Sequence, residues 1–265
     1  MKKIFTFVVG IILFFSGVNV VLTAEKSPIK LTILFDNYLY LEEGLKSKWG
    51  FSSLIEGMEK TILFDTGSSG DLLLSNIKQL KVNPGAVEIV VISHKHWDHV
   101  GGLPAFLEIN PNVSVYMPTS VAQQWEPEIK KRKAKPVAVN QPLEVCKHVF
   151  LTGEMEGPIN EQAIILDTTN GLIVITGCAH PGIVNVIEKA KKIGNKDVYM
   201  VLGGFHLART SGTKVKGIIE RFRKLGVLKV GPTHCTGDKA IQLFKEAYGK
   251  NYVKIGVGRV ININN

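Results

Sequence analysis

Cysteine is scarce in this sequence, which has only Cys146, Cys178 and Cys235 among its 265 residues. So small and odd a number excludes the dense disulfide framework that stabilises many small exported proteins. One oxidised pair, or free thiols that bind a metal, are both compatible with it. The fold must therefore depend on a hydrophobic core, which a chain of this length with 45% hydrophobic residues can supply.

Low-complexity linkers are missing after Pro28, and basic residues do not interleave with aromatic ones. The first absence favours one domain over residues 25–265, and the second argues against a nucleic-acid partner. The formal charge of +9 favours a small anionic substrate. Five basic residues lie between Lys130 and Lys135. We interpret them chiefly as a solvated face, and alternatively as a rim that attracts an anionic substrate.

The one long apolar run, residues 4–22, follows Met1-Lys2-Lys3 and ends next to Thr23 and Ala24. A basic start, an apolar centre and small residues at the end predict a signal peptide over 1–24 and export to the periplasm or cell envelope. The run is also nearly long enough to span a bilayer, which needs about 20 residues. An uncleaved anchor, and with it a membrane partner, is the alternative.

Short apolar runs alternate with amphipathic stretches along the rest of the chain. The alternation predicts an α/β (α+β) layered domain. Strands are predicted at 29–36, 51–57, 60–67, 87–93, 113–118 and 198–204, with a hairpin at 163–177. Helices are predicted at 69–80, 183–193, 215–226 and 239–249, and directly after Gly102. The segment 120–136 is predicted to be polar and broken by Pro127 and Pro136.

Three of the seven histidines lie within six residues, directly after the strand predicted at 87–93. Residues two apart on an extended chain share a face, so His94 and His96 can hold one metal ion. Asp98 and His99 follow where the chain turns, and can face a second ion nearby. Imidazole and carboxylate ligands predict two divalent ions, with Zn²⁺ the first choice and Mn²⁺ or Fe²⁺ the alternatives.

Other candidate site residues also follow predicted strands. Cys178 and His180 are two residues apart, so both can reach the metal ions, and a thiolate is a good Zn²⁺ ligand. We interpret His206 as a group that donates a proton or binds an anionic oxygen. Asp65 is interpreted as a carboxylate that orients a ligand histidine.

The stretch from His94 to His99 resembles the His-x-His-x-Asp-His signature of the metallo-β-lactamase superfamily. The phrases GFSSLIE, LFDTG, SHKHWDHVGGL, TGCAHPGIVNVI, GGFHL and PTHCTG, between residues 50 and 237, look most like a group of hydrolases related to a ribofuranosylaminobenzene phosphate synthase. The resemblance implies a four-layer αββα sandwich of two mixed sheets with a dinuclear site at one edge. It also implies that Cys178 and His234 are metal ligands.

The sequence departs from the superfamily at the third ligand motif. The interval where many members have a further histidine contains only His148, which we interpret as structural. Glu154 could serve there as an oxygen ligand, or His180 could take the place, and we prefer His180.

These residues predict a metal-dependent hydrolase. A hydroxide bridging the two ions would attack a phosphoester or another anionic ester, and Asp98 would position the water or accept its proton. One alternative is the synthase activity of the related group, which requires cytoplasmic metabolites and so conflicts with export. The others are a periplasmic β-lactamase and a non-hydrolytic iron-binding redox or binding module.

Overall fold

The computed structural model describes residues 28–264. The predicted signal peptide, residues 1–24, lies outside them. Among the described residues, no helix is both long enough and apolar enough to cross a membrane.

The described chain alternates strands and helices much as the sequence predicts. The strands are β1 (Ile29–Phe35), β2 (Ser52–Glu56), β3 (Ile62–Phe64), β4 (Ile89–Val91), β5 (Ser114–Pro118), β6 (Lys135–Val139), β7 (Leu143–Cys146), β8 (Val149–Leu151), β9 (Ile164–Thr168), β10 (Gly171–Thr176), β11 (Val198–Gly204), β12 (Lys229–Thr233) and β13 (Val260–Ile263). The helices are α1 (Gly70–Gln79), α2 (Trp97–Val100), α3 (Leu103–Ile109), α4 (Thr119–Lys131), α5 (Ile183–Gly194), α6 (Gly212–Lys224) and α7 (Asp238–Tyr248).

The strands form two mixed sheets. The first has the order β13-β1-β2-β3-β4-β5-β6, in which β3 to β6 are parallel and the others antiparallel. The second has the order β12-β11-β10-β9-β8-β7, in which β10, β11 and β12 are parallel. The α/β prediction with two mixed sheets is therefore confirmed.

The two sheets pack face to face, and each carries helices on its other side. Strand β10 shows the arrangement, because alternate residues point to opposite faces of a strand. Ile173 and Ile175 pack between the sheets, whereas Leu172 and Val174 pack against the helices of the second sheet. Burial on both faces explains why this strand is an uninterrupted apolar run. The result is the four-layer αββα sandwich that the resemblance implies.

The helix α4 is a difference from the sequence prediction. Residues 119–131 form one helix, although Pro127 lies inside it. Val121, Ala122 and Ile129 are buried in the core cluster beside the first sheet, and this packing outweighs the hydrogen bond that proline cannot donate. Pro136 lies in β6, at the edge of the sheet, where proline is tolerated.

The basic run lies at the end of the first sheet opposite the histidines. Lys135 pairs with Ser114, and Ser114 pairs with Ile89, so all three stand at the starts of parallel strands. The histidine stretch follows the other end of β4. The interpretation of the run as a substrate-attracting rim is therefore wrong. Its Arg132 instead pairs with Glu128 and Glu108 on the protein surface.

Candidate metal centre

The candidate ligands lie in loops that follow four strands of the sandwich. His94 comes after β4 in the first sheet, whereas Cys178, His206 and His234 come after β10, β11 and β12 in the second. Because β10 to β12 are parallel, their carboxyl ends meet at one edge of the sheet. The topology therefore gathers side chains that are as much as 140 residues apart in the sequence.

One group of donors consists of His94, His96 and His180. His94 Nε2 and His96 Nδ1 are 3.1 Å apart, and the His180 ring centroid lies 4.8 Å from the centroids of both other rings. His180 Nε2 is buried and has no hydrogen-bond partner among the described residues. A buried nitrogen without a partner is costly unless a ligand satisfies it.

A second group consists of Asp98, His99 and His234. The Asp98 carboxylate lies 3.2 Å from His234 Nε2, and the two Nε2 atoms of His99 and His234 are 3.3 Å apart. Burial raises the pKa of Asp98, but the hydrogen bond from His234 and the charge of His99 outweigh burial and leave that pKa well below its usual value. Asp98 is therefore a carboxylate at neutral pH.

Cys178 joins the two groups. Its Sγ is 3.4 Å from His99 Nε2, and the same sulfur forms a close set of donors with His94. All three cysteines are free thiols. Burial raises the pKa of the Cys178 thiol, so the thiolate needs a neighbouring cation to form. Cys235 forms a further group of possible metal donors with Cys178 and His206.

Hydrogen bonds at Nδ1 fix the orientation of three buried histidine rings. Nδ1 of His99 lies 2.7 Å from the Asp65 carboxylate, and Nδ1 of His94 lies 2.9 Å from the Ser93 hydroxyl, which itself donates to Asp65. Nδ1 of His234 lies 2.9 Å from Asn37 Oδ1. Because each Nδ1 faces an oxygen acceptor, Nδ1–H donates and each Nε2 faces the centre. There its lone pair can bind a metal ion once any proton on Nε2 has been released.

Glu161 is a residue that sequence reasoning missed. It is fully buried, and its carboxylate accepts the backbone N–H groups of Cys178, Ala179 and His180 at 2.8, 2.9 and 2.8 Å. These bonds hold the loop that carries two of the donors. No pattern around Glu161 signals this role, because the contact exists only once β9 and β10 have paired.

Gly177 permits the close approach of the two sheets at the centre. A Cβ atom at this position would lie 2.1 Å from Ser93 Oγ and 3.0 Å from Asp65 Oδ2. The glycine therefore lets the end of β10 reach the pair that orients His94 and His99.

Two residues considered from the sequence are not brought into the centre. Glu154 accepts hydrogen bonds from Ser120 N at the start of α4 and from Asn160 Nδ2. His148 lies in the turn between β7 and β8, 3.6 Å from Asp167. His206 reaches the rim instead, where it is exposed, with its ring centroid 4.3 Å from that of His180.

The donors fit divalent metal ions. Two nitrogens bound to one tetrahedral Zn²⁺ at about 2.0–2.1 Å lie about 3.3 Å apart, close to the spacings seen here between imidazole nitrogens. Nitrogen lone pairs that face each other at this distance repel unless a cation or a proton lies between them. His94, His96 and His180 could hold one ion, Asp98, His99 and His234 another, and Cys178 could contact both.

Comparison with known proteins agrees with this arrangement. Residues 50–188 match the family model described as the metallo-beta-lactamase superfamily. The chain is 30% identical to 7,8-dihydropterin-6-methyl-4-(beta-D-ribofuranosyl)-aminobenzene-5'-phosphate synthase of Methanocaldococcus jannaschii, over 88% of this chain and 96% of that protein. It is 31% identical to an uncharacterized protein of the same organism, over 88% of this chain and all of that protein.

A solved structure described as a metal-dependent hydrolase of the beta-lactamase superfamily has a TM-score of 0.76 and 28% identity, with 89% of this chain and 100% of that one covered. A metallo-beta-lactamase fold protein from Bacillus subtilis has the same fold at 16% identity, with a TM-score of 0.67 and coverage of 89% of this chain and 100% of that one. On the family match, the extent of the relatives and the four-layer fold, the chain belongs to the metallo-β-lactamase superfamily.

Proposed function

We propose that this protein is a metal-dependent hydrolase of phosphoesters or other anionic esters. The observation that carries the proposal is the convergence of five histidines, an aspartate and a cysteine into two adjoining donor groups at one edge of the sandwich. The solved hydrolase that matches 89% of this chain at 28% identity supports the reaction class.

The side chains divide the work of such a reaction. Divalent ions held by the two groups would supply the Lewis acidity that activates water and polarises the ester. Asp98, ionised and buried, accepts a hydrogen bond from the attacking water and holds it in line. His206 is suited to donate a proton to the departing oxygen, because its hydrogen bond to Cys235 raises its pKa above that of a free histidine.

A synthase activity is the second candidate, because the named relative is similar over nearly its full length. The name of that relative describes a product with a 5'-phosphate, so both candidates place a phosphate-bearing molecule at the site. They differ in whether water or an amine-bearing aromatic compound attacks.

The test is an assay of protein stripped of metal and then loaded in turn with Zn²⁺, Mn²⁺ and Fe²⁺. The substrates are phosphomonoesters, phosphodiesters and carboxylic esters. We expect hydrolysis of at least one class, reduced by more than about 100-fold in His96→Ala. His148→Ala, a histidine outside the centre, is the matched control and should keep full activity. Full activity in His96→Ala would overturn the proposed mechanism, whereas joining of a pterin to a ribofuranosylaminobenzene phosphate without ester hydrolysis would favour the synthase.

We also propose that residues 1–24 direct export, which would separate this protein from cytoplasmic pterin metabolites. The apolar run and its flanks support this proposal. Cell fractionation followed by N-terminal sequencing tests it. A cytoplasmic protein that begins at Met1 would contradict it.

A further inference from the structure

A cavity of about 370 Å³ opens beside the metal centre and is lined by Trp49, His206, Ala208, Arg209 and Cys235. We call it the Trp49–Arg209 cavity. The Trp49 ring centroid lies 4.8 Å from that of His234, and Cys235 directly follows His234 in the chain. His206, also in the lining, has its ring centroid 4.3 Å from that of His180. The cavity therefore adjoins residues of both donor groups, and a molecule reacting at the centre would extend into it.

The walls of the cavity carry an aromatic face and a cation. Trp49 is 48% exposed, so about half of its surface is accessible to a ligand. Its ring is held in place by the packing against His234, so a flat surface is ready for a ligand.

Arg209 is exposed at the same cavity, and among the described residues nothing forms an ion pair or hydrogen bond with its guanidinium. The lining contains no carboxylate. The other arginines beside acidic residues, such as Arg132 and Arg221, are already paired. An unpaired guanidinium presents a fork of N–H donors that matches a carboxylate or a phosphate.

We propose that the Trp49–Arg209 cavity binds the part of the substrate that is not cleaved, a planar ring that lies on Trp49 and carries an acidic group held by Arg209. The inference rests on the proposed hydrolase function and adds the substrate class. A volume of this size accommodates one or two fused rings with a substituent. The acidic group is a carboxylate or a phosphate, since both fit the guanidinium.

Paired substrates test the inference on metal-loaded protein. The substrates are methyl phosphate, phenyl phosphate and 4-carboxyphenyl phosphate, with 1,4-phenylene bisphosphate as the arm that replaces the carboxylate by a second phosphate. In Arg209→Ala, the kcat/KM ratio of 4-carboxyphenyl phosphate to phenyl phosphate should fall by about 10- to 100-fold. Arg209→Lys should restore part of it.

In Trp49→Ala, the kcat/KM ratio of phenyl phosphate to methyl phosphate should fall by about 3- to 10-fold, and Trp49→Phe should restore it. The substrates differ in the intrinsic reactivity of their leaving groups, but that difference is the same for every variant. It therefore cancels when the kcat/KM ratio of a variant is compared with that of the wild type. Arg221→Ala, which removes an exposed arginine paired with Glu188 on another helix, is the matched control and should change neither ratio.

Ester hydrolysis with both ratios unchanged in the cavity variants would overturn this inference and leave the proposed function standing. If the wild-type protein hydrolyses no ester, the proposed function fails, and the cavity is then tested by binding. Ligand-observed NMR would compare 4-hydroxybenzoate with phenol. A preference for 4-hydroxybenzoate that disappears in Arg209→Ala supports the cavity assignment, and equal binding of the two in wild type overturns it.

Discussion

Four of the eight described non-glycine residues with a positive φ lie at the metal centre. Asp65, Ala179, His206 and His234 have φ angles between 51° and 58°, although none is glycine. A non-glycine residue in this left-handed region costs of order 1 kcal/mol, so it persists only where its surroundings hold it. Here the surroundings are the hydrogen bonds that aim the donors. Stability is thus given up at the positions where the direction of a side chain matters for function.

The substitution Glu161→Gln tests whether Glu161 supports the loop that carries two of the metal donors. The amide keeps one acceptor oxygen and places an NH₂ group against a backbone N–H, so the loop bearing Cys178 and His180 loses its support. We expect metal affinity to fall by about 10- to 100-fold. Isothermal titration of the metal-free protein measures it. The control is Glu154→Gln, which lies in the same β8–β9 connection as Glu161 but is hydrogen-bonded to the start of α4. An equal loss there would show that the effect is not specific to Glu161.

His99 predicts a proton release that accompanies metal binding. Burial disfavours its charged form, but the Asp65 carboxylate 2.7 Å away outweighs burial and raises the pKa of His99 to about 9. Metal-free His99 is therefore protonated at pH 7, and must lose that proton before it binds an ion. Titration at pH 7 in buffers of different ionisation enthalpy should show release of about one proton from this group.

The raised pKa of His99 also determines how the stability of the metal-free protein changes with pH. The folded-state pKa lies above the unfolded value, so the stabilisation by the Asp65–His99 pair is complete below about pH 6.5 and is lost as pH rises towards 9. Stability that increases over this interval in the metal-free protein would contradict the assignment.

At the scale of elements, most strands and helices could be predicted, because their apolar spacing is local information. The donors that follow β4, β10, β11 and β12 could also be predicted, because each comes directly after an apolar run in the sequence. The partners of the donors could not be predicted. Ser93, Asn37 and Glu161 act through contacts between distant loops, and no spacing along the chain records those contacts.

The helix α4 shows a local signal overruled by packing. Pro127 predicts a break, yet the helix continues because residues on both sides of it are buried against the first sheet. The position of the basic run, residues 130–135, relative to the metal centre could not be predicted from the sequence either. It depends on which strand end faces the centre.

Pro127→Ala should therefore stabilise the protein. The substitution restores one helical N–H and removes the clash of the ring with the preceding turn, worth about 1–3 kcal/mol in the free energy of unfolding. Chemical denaturation measures the change. Pro136→Ala, in the edge strand β6, is the comparison and should change stability less. A loss of stability in Pro127→Ala would mean that a bend at this position is needed to seat Ile129.

At the scale of the whole molecule, each donor group combines residues from both sheets. His94 and His96 follow a strand of the first sheet and His180 one of the second, and the same division separates Asp98 and His99 from His234. A bound ion would therefore connect the two halves of the sandwich.

Removal of metal should lower the thermal stability of the whole protein. A ligand present at 100 to 1,000 times its dissociation constant stabilises the folded state by about 3–4 kcal/mol. For a chain of this size we expect a chelator to lower the melting temperature by about 5–15 °C. Calorimetry of the metal-loaded protein with and without chelator measures it. His96→Ala should show a smaller difference, and an equal difference would place the stabilising ion elsewhere.

The close contact between the sheets at Gly177 predicts that substitutions of this glycine are poorly tolerated. A methyl group there would displace the Ser93 hydroxyl and disturb the pair that aims His94 and His99, although the glycine offers no donor atom of its own. In a screen of random variants for lost activity, Gly177 should therefore be recovered alongside the histidines. A residue with no side chain would then score as one of the most intolerant positions in the enzyme.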